Sequence, residues 1–233
     1  MRLILNGIEH YLLEGDSTCI VLIHDGIGCC ELWKDFPNII HEATGHTVFV
    51  YSRYNHGKSD ESTVPFSFSN EVEVLNKLLT YYNIIEPILF GHSIGSVIAI
   101  YYAAKFKVKK IVVTAVYLMY DQLIINGMKS IRARYEAGTM VELVKAHSNP
   151  NAMFYIWCDI GLSANVNDMT IFNKAKEVLC EVICIKYDKD PYFGNNQLEL
   201  LQEAIPNVNI IILKGTAHTI HKRNPGMLKQ YLS

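Results

Sequence analysis

Gly91-His92-Ser93-Ile94-Gly95 sets a serine between two glycines, after the apolar run Pro87–Phe90 and at the head of the amphipathic stretch Ser93–Phe106. A strand that turns this sharply into a helix strains the central residue, and the flanking glycines remove Cβ atoms that would collide. The serine oxygen then projects at the carboxyl edge of a sheet, where the helix N-terminus faces any negative charge that develops. A serine hydroxyl alone is a poor nucleophile; it needs a base, and the base needs an acid to orient it. Both types follow in that order. Asp188 and Asp190 come after the apolar run Val182–Lys186, and His218 and His221 after Val208–Leu213. His218 comes first after its strand, behind Gly215-Thr216-Ala217, and is the expected base; His221 is expected to help start the last helix. The two histidines share a side at i,i+3, but the segment offers no further ligands, so no metal site is expected.

A tetrahedral oxyanion needs two backbone donors. One is expected from Ile94 N–H, directly after the serine. The other is expected from Gly26 N–H in Asp25-Gly26-Ile27-Gly28, a loop whose glycines let the backbone turn a donor toward the serine. This loop matches neither a Walker A nor a full G-x-G-x-x-G pattern, which weakens any phosphate-binding reading.

The elements that must carry these residues alternate along the chain. Arg2–Leu5 and Ile8–Leu13 read as a hairpin turning at Asn6-Gly7. Cys19–His24 is a continuous apolar run, as in a strand buried on both faces, and Thr47–Tyr51 is the next strand. Helices are expected over Leu32–Ala43, Phe68–Tyr82 (with Ser69 or Asn70 as N-cap), Ser93–Phe106, Asn196–Ala204 and Pro225–Tyr231. Lys110–Thr114 is a strand; from Leu118 to Lys176 there are helical patches and no clear buried strand. The pattern is an α/β fold with a mostly parallel sheet and a helical insertion.

Composition narrows the function. Of 233 residues half are hydrophobic and 19% charged, a globular composition with a core that needs no metal or disulfide staple. Lys and Arg number 21 against 23 Asp and Glu, leaving a net charge of −2 and no reason to expect nucleic acid as a partner. Six cysteines form no C-x-x-C pair and no evident disulfide framework, so reduced thiols in a cytoplasmic protein are expected. No secretory signal and no membrane span are read from the chain.

Several motifs together resemble the α/β-hydrolase fold superfamily over nearly the whole length. His24-Asp25-Gly26-Ile27-Gly28 with Trp33 resembles its oxyanion loop, and Tyr51–Asp60 resembles its D-x-R-G-x-G-x-S loop. Gly91–Gly95 resembles its nucleophile elbow, Asp190-Pro191 its acid loop, and His218 with Asn224-Pro225 its C-terminal histidine motif. The resemblance implies an α/β-hydrolase core over residues 1–116 and 177–233, and a helical cap over 117–176. It also implies a triad of Ser93, Asp190 and His218, which favours Asp190 over Asp188. Asp25 departs from the pattern, standing where the family has glycine. A carboxylate there opposes charge in an oxyanion hole, so its side chain is expected to turn away, toward Arg53 or His24.

The function so implied is a serine hydrolase that cleaves a carboxylic ester of a small, partly apolar substrate through an acyl-enzyme, with no cofactor. Substrate contacts are expected from Ile27 and His92 beside the reacting centre, and from Tyr120, Met153 and Trp157 of the aromatic and methionine-rich insertion. The alternatives are a specialised hydrolase of the same fold (lactonase, thioesterase, carrier-protein ester or C–C bond hydrolase) and a weakly catalytic small-molecule receptor. Oligomeric state is not legible in the sequence.

Overall fold

Alternating side chains decide how the central strands bury both faces. In β3 (Asp16–Ile23), Cys19, Val21 and Ile23 join one apolar cluster while Ile20 and Leu22 join another on the opposite face. The computed structural model describes residues 2–166, 168–215 and 217–233. Among them, β1 (Leu3–Leu5), β2 (Ile8–Leu13), β3, β4 (His46–Tyr51), β5 (Ile88–His92), β6 (Lys110–Thr114), β7 (Glu181–Tyr187) and β8 (Asn209–Leu213) form a single eight-stranded sheet. Its order is β1-β2-β4-β3-β5-β6-β7-β8. The β1–β2 and β2–β4 pairs are antiparallel and the rest are parallel, so strands β3 to β8 all end at one edge.

Helices α1 (Phe36–Thr44), α2 (Phe68–Tyr81) and α3 (Ile94–Ala103) follow β3, β4 and β5 and divide between the two faces. Trp33, Phe36 and Ile40 pack on one face, Leu75, Leu79 and Val97 on the other. The helix expected from Leu32 is interrupted. A 3-10 turn over Cys30–Trp33 ends at Lys34, whose φ of 55° stops propagation before α1 begins. The N-cap of α2 is Ser67, not Ser69 or Asn70. Its extended backbone lets the hydroxyl accept from Asn70 N–H at 3.1 Å, while Ser69 and Asn70 already lie inside the first turn.

Between β6 and β7 run α4 (Gln122–Glu136), α5 (Val141–Ala146), α6 (Pro150–Leu162) and α7 (Thr170–Ala175). Tyr135, Leu143, Met153, Phe154 and Cys158 of α4 to α6 form an apolar cluster of their own. Ile171, Phe172 and Ala175 of α7 instead join the cluster on the α3 face of the sheet. The chain closes with α8 (Asn196–Ala204), α9 (Ile220–Arg223) and α10 (Pro225–Leu232), where Leu228 and Leu232 cover the α1 face. Among the described residues no helix is long and apolar enough to cross a membrane.

The cap assignment is directly measurable. Ser67→Ala is expected to lower unfolding stability by about 1 kcal/mol in urea titrations, with Ser69→Ala producing a smaller change. Equal losses at both positions would contradict Ser67 as the cap.

Candidate active site

Ser93 occupies the turn between β5 and α3 with φ 56° and ψ −122°. A non-glycine residue at positive φ is costly, so neighbouring bonds must hold it there. Ser93 N–H donates to the Thr114 carbonyl at 2.9 Å. The buried Ser96 hydroxyl lies 2.8 Å from the Gly91 carbonyl and 2.9 Å from that of Thr114. A Cβ on Gly91 would stand 2.5 Å from the Gly95 carbonyl oxygen, and one on Gly95 would run into the Ile23 carbonyl of β3. Both glycines of the motif are therefore required by close backbone approach. Ile94 opens α3, so its N–H is one of the helix's first-turn donors without an intrahelical acceptor.

The loops after β7 and β8 bring an acid to a histidine. His218 Nδ1 lies 3.0 and 3.2 Å from the two Asp190 carboxylate oxygens. That carboxylate also accepts from Tyr192 N–H at 2.8 Å and Phe193 N–H at 3.2 Å, and its side chain is only 2% exposed. Asp188 serves elsewhere. Its carboxylate accepts from Gly215 N–H at 2.9 Å and meets Lys214 at 3.3 Å, contacts that hold its pKa below the usual value, the backbone bond first. Phe193 stacks on the His218 ring at 5.2 Å and Tyr192 meets it edge-on at 5.0 Å. These two aromatics follow the acid and its proline in Asp190-Pro191-Tyr192-Phe193, the one signal that marks them in sequence. Thr216, in the same loop as His218, lies outside the described residues.

His221 is not exchangeable with His218. It is buried within α9 among Trp33, Phe36, Phe90 and His92, and its Nδ1 has no hydrogen-bond partner among the described residues. His92 corrects an expectation. It is fully buried and lines none of the described cavities, so it is no substrate contact. Its Nδ1 pairs with the Thr114 hydroxyl at 3.0 Å, and its ring sits 4.8 Å from both His218 and His221. It is part of the floor beneath His218. Met153 is a second correction: fully buried in the cluster of α4 to α6, it lines none of the described cavities, because α4 and α5 pack against α6 there.

The loop carrying Asp25 and Gly26 is fixed from behind. The Asp25 carbonyl accepts from His24 Nδ1 at 2.7 Å and Arg53 Nη2 at 2.9 Å. In a trans peptide the next N–H points the opposite way, so Gly26 N–H is turned away from Arg53. The Asp25 carboxylate turns neither to Arg53 nor to His24. One oxygen accepts from Ile27 N–H at 2.9 Å and the other lies 4.0 Å from His92 Nε2. The short Asx turn satisfies it locally, leaving Arg53 to bind main chain.

Three cavities meet at this centre, and Trp157 borders all of them. A recess of about 60 Å³ holds Ser93, Ile94 and His218 under Tyr117, Tyr120 and the Ile124, Met128 and Ile131 face of α4. An outer cavity of about 690 Å³ joins Ser93 and His218 to Gly26 and Ile27. A third space of about 190 Å³ touches Gly26 and Ile94 from the α2 side. Of the expected contacts, Ile27, Tyr120 and Trp157 thus line the cleft.

A parallel sheet with a strained serine at its carboxyl edge, and acid and histidine on later loops, describes the alpha/beta hydrolase fold; the model of that family matches residues 18–155 and the chain belongs to it. Among curated relatives, the sn-1-specific diacylglycerol lipase ABHD11 of Danio rerio is 31% identical over 86 residues, 37% of this chain and 27% of that protein. The chain's match thus spans about a quarter of the relative's length. Among solved structures, one from work on carboxylesterases of the Thaumarchaeon Nitrososphaera gargenis superposes with a TM-score of 0.73 at 19% identity, covering 100% of this chain and 96% of that one. The monoacylglycerol lipase of Paleococcus ferrophilus gives 0.70 at 14% identity, covering 97% and 98%.

The histidines under the site make stability depend on pH. Burial pushes His24, His92 and His221 well below the usual histidine pKa, and His56 down to about 3, with Arg53 adding to the last. All four stay neutral in the folded chain but titrate near 6.5 when unfolded. Unfolding therefore takes up protons below pH about 6.5, so the stability present above that pH is lost as pH falls. Each group adds a slope approaching about 1.4 kcal/mol per pH unit. The urea midpoint is expected to drop between pH 7 and 5.5, and His221→Phe to reduce that drop; a midpoint independent of pH would refute the neutral cluster.

Proposed function

We propose that the protein is a serine hydrolase that cleaves a carboxylic ester of a small, partly apolar substrate through an acyl-enzyme. The observation that carries the reading is Ser93 at positive φ, sharing a cleft with a His218 whose Nδ1 faces the buried Asp190 carboxylate. In this mechanism His218 Nε2 takes the Ser93 proton as the serine oxygen attacks the ester carbonyl, while Asp190 holds the tautomer and stabilises the imidazolium. Gly26 and Ile94 N–H groups bind the tetrahedral oxyanion. The imidazolium returns the proton to the departing alkoxide. Water, activated by the same histidine, then releases the acid and frees the serine.

Residues 117–176 are read as the cap over this cleft, with α4 supplying the apolar roof. The recess under Tyr117, Tyr120, Ile124 and Met128 is small and apolar, which favours a short apolar group on one side of the ester. Esterase and lipase relatives agree with the reading in kind. Six separate thiols suit a reducing compartment such as the cytoplasm.

The test is turnover of nitrophenyl esters of graded chain length. Wild type is expected to hydrolyse the short ones, and Ser93→Ala to lose at least about 10³-fold in kcat. Asp190→Asn should lose far more activity than Asp188→Asn; the reverse would move the acid to Asp188. Tight binding of a small molecule without turnover of any ester would replace the hydrolase with a receptor.

A further inference from the structure

The two spaces that hold Ser93 and His218 differ in what borders them. The recess of about 60 Å³ is walled by buried and half-buried residues alone. The outer cavity of about 690 Å³ runs out past exposed Arg134, Thr139, Glu142, Pro191, Lys222 and Arg223. That difference assigns the two parts of an ester. The acyl group stays bound to Ser93 through the acyl-enzyme, so an enclosed space can hold it. The alcohol must leave and water must arrive before the serine is freed, so the alcohol belongs on the open side.

The open side is charged. Two carboxylates border it, and both are engaged: Asp25 accepts from Ile27 N–H at 2.9 Å, and Glu142 meets Lys34 at 3.5 Å. The cations are Arg134, Lys222 and Arg223, and among the described residues none of them makes an ion pair or a side-chain hydrogen bond. The contrast along α4 is direct. Arg132 pairs with Glu136 at 2.9 Å and lies over the Tyr155 ring, whereas Arg134, two residues on, is left to the cavity. The cations also come from two different walls, Arg134 from α4 and Lys222 and Arg223 from α9, the short helix that follows His218. The Lys222 charge is felt beneath the cleft, where it adds to burial in holding His92 and His221 neutral. An oxyanion in this space meets positive charge from both walls, which a neutral alcohol leaves unused.

We infer that the outer cavity is a leaving-group subsite that selects esters of an alcohol carrying a carboxylate or a phosphate. This deepens the hydrolase reading and rests on it. The short acyl group lies in the recess, and the anion lies between Arg134 and the Lys222–Arg223 pair. When His218 returns the Ser93 proton to the alcohol oxygen, the acyl C–O bond breaks and the anionic alcohol departs along the cavity. Water entering the same way releases the short acid.

The test compares four aryl acetates on the whole protein: phenyl acetate, 4-acetoxybenzoate, 4-acetoxybenzamide and 4-acetoxyphenyl phosphate. The benzoate and the benzamide match in shape, and the amide has the better leaving group, so reactivity alone favours the amide. Wild type is expected instead to favour the benzoate by about fivefold or more in kcat/KM at low salt, the scale of one or two exposed ion pairs. Added sodium chloride should shrink that ratio. Arg134→Gln combined with Lys222→Gln should bring it close to unity; both side chains are exposed, so neither change disturbs the core. Lys129→Gln removes an exposed α4 cation that lines none of the described cavities and should leave the ratio as it is. A wild-type ratio of one or less, or a preference that survives the double variant, would overturn the subsite. An equal fall in Lys129→Gln would also overturn it, by placing the effect in the general field of α4. A preference for monophenyl adipate over phenyl adipamate, with none among the acetates, would overturn the assignment of the anion to the alcohol. The phosphate and benzoate esters distinguish a phosphorylated alcohol from a hydroxy acid, and either order upholds the subsite while both outrun the amide. Turnover of phenyl acetate with no charge preference removes the subsite alone, whereas no turnover of any of these esters removes the hydrolase reading with it.

Discussion

The site depends on a single strained residue and the bonds that hold it. Ser93 at φ 56° stores about 1–3 kcal/mol, which the turn would release by relaxing if it were free to do so. It is not free, because the Ser96 hydroxyl and the Thr114 carbonyl tie the turn to the end of β6, and the Ile23 carbonyl of β3 presses on Gly95. The strands on both sides of β5 therefore act as the jig. Once β3, β5 and β6 pair in register, the serine has one orientation.

The same register explains the layer of histidines. His92 is the last residue of β5 and Thr114 the last of β6, and they pair both in the ladder and by side chain. That leaves the His92 ring facing His218 and His221 under the cleft. Neutral imidazoles suit this floor, since a protonated ring at that depth would repel the imidazolium that the proposed mechanism forms on His218. The Arg53 guanidinium bonds the Asp25 carbonyl and His56, so that it orients the backbone of the loop after β3.

What was legible in the sequence follows from how local each signal is. The elbow, the strand runs and the order serine, aspartate, histidine are patterns over a few residues, and they located Ser93, Asp190 and His218 on the loops where the structure has them. The choice of Asp190 over Asp188 came from resemblance, because both stand within three residues after the same strand; only the fold of the loop decides which turns inward. His92 was misassigned since adjacency to the serine in sequence says nothing about which side of the sheet edge its ring takes. Met153 and Trp157 were named together from the aromatic and methionine-rich composition of the insertion, while the packing of α4 and α5 separated their fates. Ser67 was missed as the cap because Ser67, Ser69 and Asn70, with Phe68 between the first two, offer equivalent starts until the backbone picks one.

Trp157 has one further consequence. The chain has two tryptophans. Trp33 is sealed in the core against Phe36, Phe90 and His221, whereas Trp157 borders every cavity of the cleft. Intrinsic emission therefore divides into a shielded indole, blind to anything in solution, and an indole set at the junction of the reaction space. The molecule carries its own optical probe of cleft occupancy, with an internal reference in the same polypeptide.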